Sequence, residues 1–400
     1  MKKSIKGFVK KIGLYGLIFL VRDFVKVVRN RQFQVFHFAV VTLVSHISKR
    51  NSVVIYFESS IHESAFGDIL SLLNSRLNNH RLFVFTEFEA SKSEMPGVQY
   101  IRRFPSYGVP FLSSKIFISS CAKGNNMSCP FFSTSIYQPH SLVEIEGVFP
   151  ENAFDGHDVI LAAGTHQTED FLRTFKRNGV RQKVIVRSGY PKLDAQIREV
   201  DRRRDKNSSG NILFAPTLVN DLNETTACLR ASGQQILQSL SSEPVVFRPH
   251  PLSLLVESDR QLIDAFIGEF SETVTLDDKG NYAESFHQSR MLVTDLSGTG
   301  FTYAFSTLKP VIFFARNKEW ESGKSGIQFE GRHRVGLVAR NVDELISARQ
   351  RVDDNYDEIR ARIEQYRNEI IYNIGRSSEA AVEAIVAVAS NKIPDNCEVQ

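Results

Sequence analysis

Four cysteines in 400 residues, Cys121, Cys129, Cys228 and Cys397, are too few for a disulfide scaffold. They form no C-x-x-C pair and no histidine-supported zinc pattern, so the sequence predicts a reduced chain with no metal site and no cofactor. The run G-x-x-x-x-G-K-[ST] is missing, which argues against a conventional NTPase. No D-x-D pair calls for a metal-dependent nucleotide-sugar site. A membrane-spanning helix needs about 20 apolar residues, and the uncharged stretch 12–21 stops after ten. Arg22, Asp23 and Lys26 follow it at once, with no small-residue cleavage site, so it does not read as a signal peptide. With 42% hydrophobic and 24% charged residues, 23 Gly and 13 Pro, the chain is neither disordered nor collagenous. Its length suits two to three domains with ample core.

The first eighth of the chain also lacks acids. Residues 1–50 hold eleven Lys and Arg against one acid, Asp23. That makes the segment +10 and leaves −6 for residues 51–400, within a net charge of +4. A mildly acidic body argues against a nucleic-acid binder, whose footprint is a basic face. Read as a helix, the segment gathers Ile5, Phe8, Val9, Ile12, Leu17 and Phe24 with lysines at the edges. Such a basic amphipathic element suits an anionic membrane surface; packing on the protein's own body is the alternative. Residues 33–47 read as a second interfacial or docking helix.

From residue 51 onward, short β-rich runs alternate with helical patterns. Strands are expected at 53–57, 82–86, 115–119, 135–138, 158–162 and 183–187, then at 211–215, 244–248, 291–294 and 310–314. Helices are expected at 65–77, 166–178, 234–240, 260–270 and 297–307. This alternation predicts parallel sheets built from βαβ units. The charged stretch 199–210 separates the two series. The expected architecture is two Rossmann-like domains facing a cleft, over 51–198 and 211–400, the second including the C-terminal helices.

Ligands of parallel-sheet folds bind beyond the carboxyl ends of strands, so the strand-end loops carry the chemistry. Arg248-Pro249-His250-Pro251 sets an Arg before a His that two prolines bracket, a pairing suited to a phosphate; a structural turn is the plain alternative. Thr294-Asp295-Leu296-Ser297-Gly298-Thr299 leads into a helix and offers backbone N–H groups and hydroxyls to an anion, unless Asp295 is simply a cap. His140 follows Pro139 at a strand end and suits a general base for an attacking hydroxyl; a satisfied structural histidine is equally compatible. Glu58, Ser59 and His62 follow the first strand as acceptor-side candidates.

In order and spacing, five short motifs resemble the CDP-glycerol glycerophosphotransferase family, the primases and polymerases of teichoic-acid synthesis. They are Pro139-His140-Ser141-Leu142, Gly189-Tyr190-Pro191-Lys192-Leu193-Asp194, Ile212-Leu213-Phe214-Ala215-Pro216-Thr217, Arg248-Pro249-His250-Pro251 and Thr294-Asp295-Leu296-Ser297-Gly298-Thr299. The resemblance implies a GT-B fold, with the nucleotide donor held by the second domain. It implies attack by an acceptor hydroxyl on the β-phosphorus of CDP-glycerol, with His140 as base and CMP leaving. It further implies that Arg248, His250, Ser297 and Thr299 hold the donor phosphates, and that the acceptor is a lipid-linked glycan precursor at the cytoplasmic face of the membrane. The chain departs from the family where His140-Ser141-Leu142-Val143 replaces a His-Gly-Thr-Pro-Leu-Lys run, and where Ser297-Gly298-Thr299 replaces a Ser-Ser pair. The same residues are compatible with two alternatives: a GT-B glycosyltransferase using a nucleotide sugar for capsule or surface polysaccharide, and a catalytically silent module that recruits partners.

Overall fold

The computed structural model describes residues 51–400, except 78, 90–93, 105, 123–128, 131–132, 144, 146–148, 181, 204–209, 220–226, 280–281 and 323–325. The basic segment 1–50, with both helical readings made for it, lies outside the described residues.

The chain divides into two compact units. The first holds the described residues up to Ser141, Ile145–Lys192 and Ile371–Gln400; the second holds Leu142–Glu144 and Leu193–Ile370. The sequence reading put all of 211–400 in one domain, but Ile371–Gln400 returns to the first unit. The reason is apolar burial. Helix Ser377–Ala389 places Ala381, Val382, Ile385 and Ala389 in the core beneath the first sheet. The last strand pairs antiparallel with that sheet's edge.

The first unit is built on an eight-stranded sheet. Its strands are β1 (Ser52–Phe57), β2 (Arg81–Thr86), β3 (Val98–Ile101), β4 (Ile116–Ser119), β5 (Thr134–Tyr137), β6 (Val159–Ala162) and β7 (Val184–Arg187), with β14 (Cys397–Val399) at the edge. The spatial order is β14-β7-β6-β5-β4-β1-β2-β3, parallel except at β14. Both faces are covered, which is why these strands read as unbroken apolar runs rather than alternating ones. Val53, Ile55 and Phe57 enter one core, while Val54 and Tyr56 enter another with Phe85, Phe104 and Phe117. The two-residue period sends neighbours to opposite faces.

Among the described residues the second unit has six strands: β8 (Asn211–Phe214), β9 (Val245–Phe247), β10 (Val274–Leu276), β11 (Ser289–Thr294), β12 (Val311–Phe314) and β13 (Gly336–Ala339). All are parallel, in the order β10-β9-β8-β11-β12-β13. Counted within the unit, this is the doubly wound order 3-2-1-4-5-6. The strand order therefore reverses between β8 and β11. In the first unit it reverses between β1 and β4. A crevice opens at the carboxyl ends of the strands at each such switch point, and the topology alone names the loops to inspect.

Candidate functional site

At the second unit's switch point, β11 runs into Asp295-Leu296-Ser297 and then helix Gly298–Thr307. Asp295 is fully buried. Its carboxylate accepts from the Thr217 backbone N–H at 2.9 Å and from the Cys228 N–H at 2.8 Å. Burial pushes its pKa up, and these two N–H groups oppose the shift. Thr294 is also buried and donates to the Ala215 carbonyl at 2.6 Å. Asp295 and Thr294 thus tie the loop after β8 to the loop after β11. The sequence reading aims both at the donor; the structure uses their side chains to frame the crevice.

Ser297 is the N-cap of helix Gly298–Thr307, its Oγ accepting from the Thr299 N–H at 3.2 Å. The helix begins in close quarters: a Cβ on Gly298 would lie 2.9 Å from Val143 Cγ1, and one on Gly300 2.7 Å from the Phe313 ring. Glycine at 300 lets the helix sit close on β12, and the partial positive charge of its N-terminus faces the crevice. Ser297, Gly298 and Thr299 form the start of this helix at the carboxyl end of the sheet.

Arg248 and His250 follow β9, next to β8 in the sheet. The Arg248 guanidinium pairs with Asp277 at 2.6 Å, donates to the Lys279 carbonyl at 2.7 Å and lies 5.5 Å from the Tyr282 ring centroid. Instead of standing open to a phosphate, it closes the ends of β9 and β10. Sequence reasoning missed Asp277, because β10 is three residues long and carries no readable period. His250 Nδ1 accepts from the Leu252 N–H at 3.2 Å. Burial lowers the ring's pKa, so the neutral ring carries its proton on Nε2. His250 is thereby set to donate one hydrogen bond from Nε2.

Beyond β12 and β13 lies a hollow of about 480 Å³ whose lining includes Lys318, Phe329, Arg332, His333 and Arg340. Glu321 holds its wall through a two-pronged bond from Arg332, at 2.9 and 2.8 Å, and a bond from Arg340 at 2.7 Å. No sequence motif pointed to this hollow.

In the first unit, Glu58 and Ser59 follow β1, and Cys121 follows β4, so both sides of the switch point carry polar side chains. His62 lies in the short helix Ser60–Ser64, which Ser59 precedes without a side-chain cap bond. The ligand atoms of Glu58, His62 and Cys121 all lie within 4.8 Å of one another. His140, beyond β5, has its ring 4.9 Å from that of His62. The acceptor-side candidates Glu58 and His62 are therefore brought to the candidate base.

The environment of His140 settles its proton. Nδ1 is 3.2 Å from the Ser120 carbonyl, which can only accept, so Nδ1 carries the hydrogen and the lone pair sits on Nε2. Burial, aided by His62 and Lys192, pushes the ring's pKa down to about 4, so it is neutral at neutral pH. The Tyr190 hydroxyl donates to the His140 carbonyl at 2.7 Å. Tyr190 belongs to the Gly189–Asp194 motif, whose Gly189 has φ +91° and passes so near Tyr372 and Ser377 that a Cβ would clash. The motif is thus a positioning element for His140.

No helix among the described residues is long and apolar enough to cross a membrane.

Compared with known proteins, the fold resembles structures of the wall teichoic acid polymerase TagF. One of them shares 15% identity at a TM-score of 0.59, over 93% of this chain and 98% of that one. A putative UDP-N-acetylglucosamine 2-epimerase from Listeria monocytogenes is similar at 14% identity and a TM-score of 0.55, over 86% of this chain and 98% of its own. A glycosyltransferase from Rickettsia africae follows at 8% identity and a TM-score of 0.51, over 86% of this chain and all of its own. These likenesses establish the GT-B fold. No curated protein matches by sequence. The profile of the CDP-glycerol:poly(glycerophosphate) glycerophosphotransferase family matches residues 151–387, more than half of the chain. With the switch-point loops of the second unit lying inside that match, the chain belongs to the CDP-glycerol:poly(glycerophosphate) glycerophosphotransferase family.

Proposed function

We propose that this enzyme transfers glycerol phosphate, or a related polyol phosphate, from a CDP-activated donor to a hydroxyl of a membrane-linked surface-polymer precursor, releasing CMP. The family match over residues 151–387 carries this reading. TagF structures described as soaked with CDPG share its fold, which is consistent with such a donor.

The chain's residues suit each part of the reaction. The acceptor oxygen attacks the phosphorus that bears the glycerol. A new P–O bond forms, the P–O bond to CMP breaks, and the acceptor's proton passes to the free Nε2 of His140. The neutral ring has its lone pair available at physiological pH. The helix N-terminus at Ser297–Thr299 and Nε2–H of His250 stabilise the phosphate charge. Transfer of this type depends mainly on positioning and charge stabilisation. Arg248, Thr294 and Asp295 contribute by holding those loops. Glu58, Ser59 and His62 line the acceptor side. The +10 segment 1–50 holds the enzyme peripherally on the anionic cytoplasmic face of the membrane.

The test is CMP release from CDP-glycerol by the full chain on vesicles bearing a lipid-linked acceptor. His250→Ala should lower the rate about a hundredfold or more while leaving the circular dichroism spectrum unchanged; retained activity would remove His250 from the site. Deleting residues 1–50 should release the protein from anionic vesicles, and persistent binding would contradict the membrane assignment.

A further inference from the structure

The sequence predicts no metal site because its cysteines have no ligand partners at motif spacing. The fold supplies partners from far along the chain. Glu58 and Cys121 stand at the ends of β1 and β4, the pair of strands between which the sheet order reverses, and His62 closes the group from the next helix. We propose that Glu58, His62 and Cys121 bind a thiophilic divalent cation of the zinc class at the first unit's switch point.

The donor set identifies the class of ion. A thiolate, an imidazole and a carboxylate together suit Zn²⁺, whereas Mg²⁺ and Ca²⁺ take oxygen ligands. The spacing agrees as well. Sulfur and oxygen ligands on a tetrahedral zinc stand about 3.5 Å apart, and Cys121 Sγ lies 3.4 Å from Glu58 Oε2. All three ligand atoms fall within 4.8 Å, so closing on an ion needs only small side-chain movement. The Cys121 loop is anchored from behind, since fully buried His157 donates from Nε2 to the Cys121 carbonyl at 3.1 Å. That bond fixes the loop in the way outer-shell contacts orient metal ligands. Glu58 and His62 are half-buried and give an ion a route in. Three protein ligands leave a fourth position open, as in catalytic rather than purely structural zinc sites.

The test uses Co²⁺ as the probe on the full chain after chelator treatment. One equivalent should bind and give a sulfur-to-cobalt charge-transfer band, displaced by Zn²⁺ but not by excess Mg²⁺. Cys121→Ser should abolish the band. Glu58→Gln and His62→Ala should each weaken Co²⁺ binding by about tenfold or more. Cys129→Ser, a buried cysteine outside the group, should change neither. Circular dichroism checks each fold; if Cys121→Ser misfolds, the two affinity losses decide. Absence of the band in the unaltered chain, its survival in Cys121→Ser, unchanged affinity in both other ligand variants, or displacement by Mg²⁺ would each overturn the site. No nucleotide is present in the titration, so its outcome is independent of the proposed transfer.

Discussion

The two switch points share one topology and differ in chemistry. In the second unit, side chains at the crossover are occupied with holding loops: Asp295 accepts two backbone N–H groups and Thr294 donates to a carbonyl. Beside them at the strand ends lie a helix N-terminus and the Nε2–H of His250. In the first unit, titratable groups gather instead, with Glu58, His62 and Cys121 beside His140. A site that must bind a charged group benefits from fixed dipoles, which need no reorganisation. A site that must accept a proton needs side chains whose protonation can change. The same α/β plan accommodates both because the loops beyond the strands, not the sheet, set the chemistry.

The largest effect expected from this contrast is on rate. His140→Ala should lower turnover by about a hundred- to ten-thousandfold while CDP-glycerol affinity stays unchanged. Equal loss of both would break the division of labour. Next comes stability of the second unit. Asp295→Ala leaves two backbone donors without their acceptor, a loss of about 3 kcal/mol, read as a lower denaturation midpoint. An unchanged midpoint would remove Asp295 from the frame.

A third effect is pH dependence in the first unit. Burial, and after it Lys183, holds the fully buried His157 ring down to about 4, against the Cys121 carbonyl bond and Asp158, which act the other way. Its ordinary value is 6.5. Between these values the unfolded chain binds the proton and the folded chain does not, so stability falls as pH drops from 6.5 toward 4. The loss is about 2–3 kcal/mol by linkage. Urea titrations across that range check it, and His157→Gln should flatten the slope. The smallest effect is that of Tyr190→Phe, which removes one hydrogen bond to the His140 backbone. It should cost about 1 kcal/mol and reduce turnover a few-fold; an unchanged rate would mean that Tyr190 does not position the base.

Much of the sheet architecture was legible because buried parallel strands are apolar throughout, as 53–57 and 159–162 show. Short or partly exposed strands were not: β3, β10, β13 and β14 have three or four residues and no period to detect. The return of helix Ser377–Ala389 to the first unit was illegible, since its Ala/Val face says only that it packs, not on what. Motif residues were visible as residues but not in their roles. Arg248 looks like a phosphate clamp until Asp277 is seen beside it, and the two are 29 positions apart. Cys121 gave no signal at all, because Glu58 and His62 join it only through the order of the strands.

The proposed transfer rests on cleavage of a CDP-activated polyol donor. The most direct measurement offers the full chain an equimolar mixture of CDP-glycerol, CDP-ribitol and UDP-sugars with a lipid-linked acceptor, and identifies the released nucleotide and the acceptor's mass gain. CMP is the expected product, with one polyol phosphate added per CMP released. Release of UDP with addition of a sugar would contradict it.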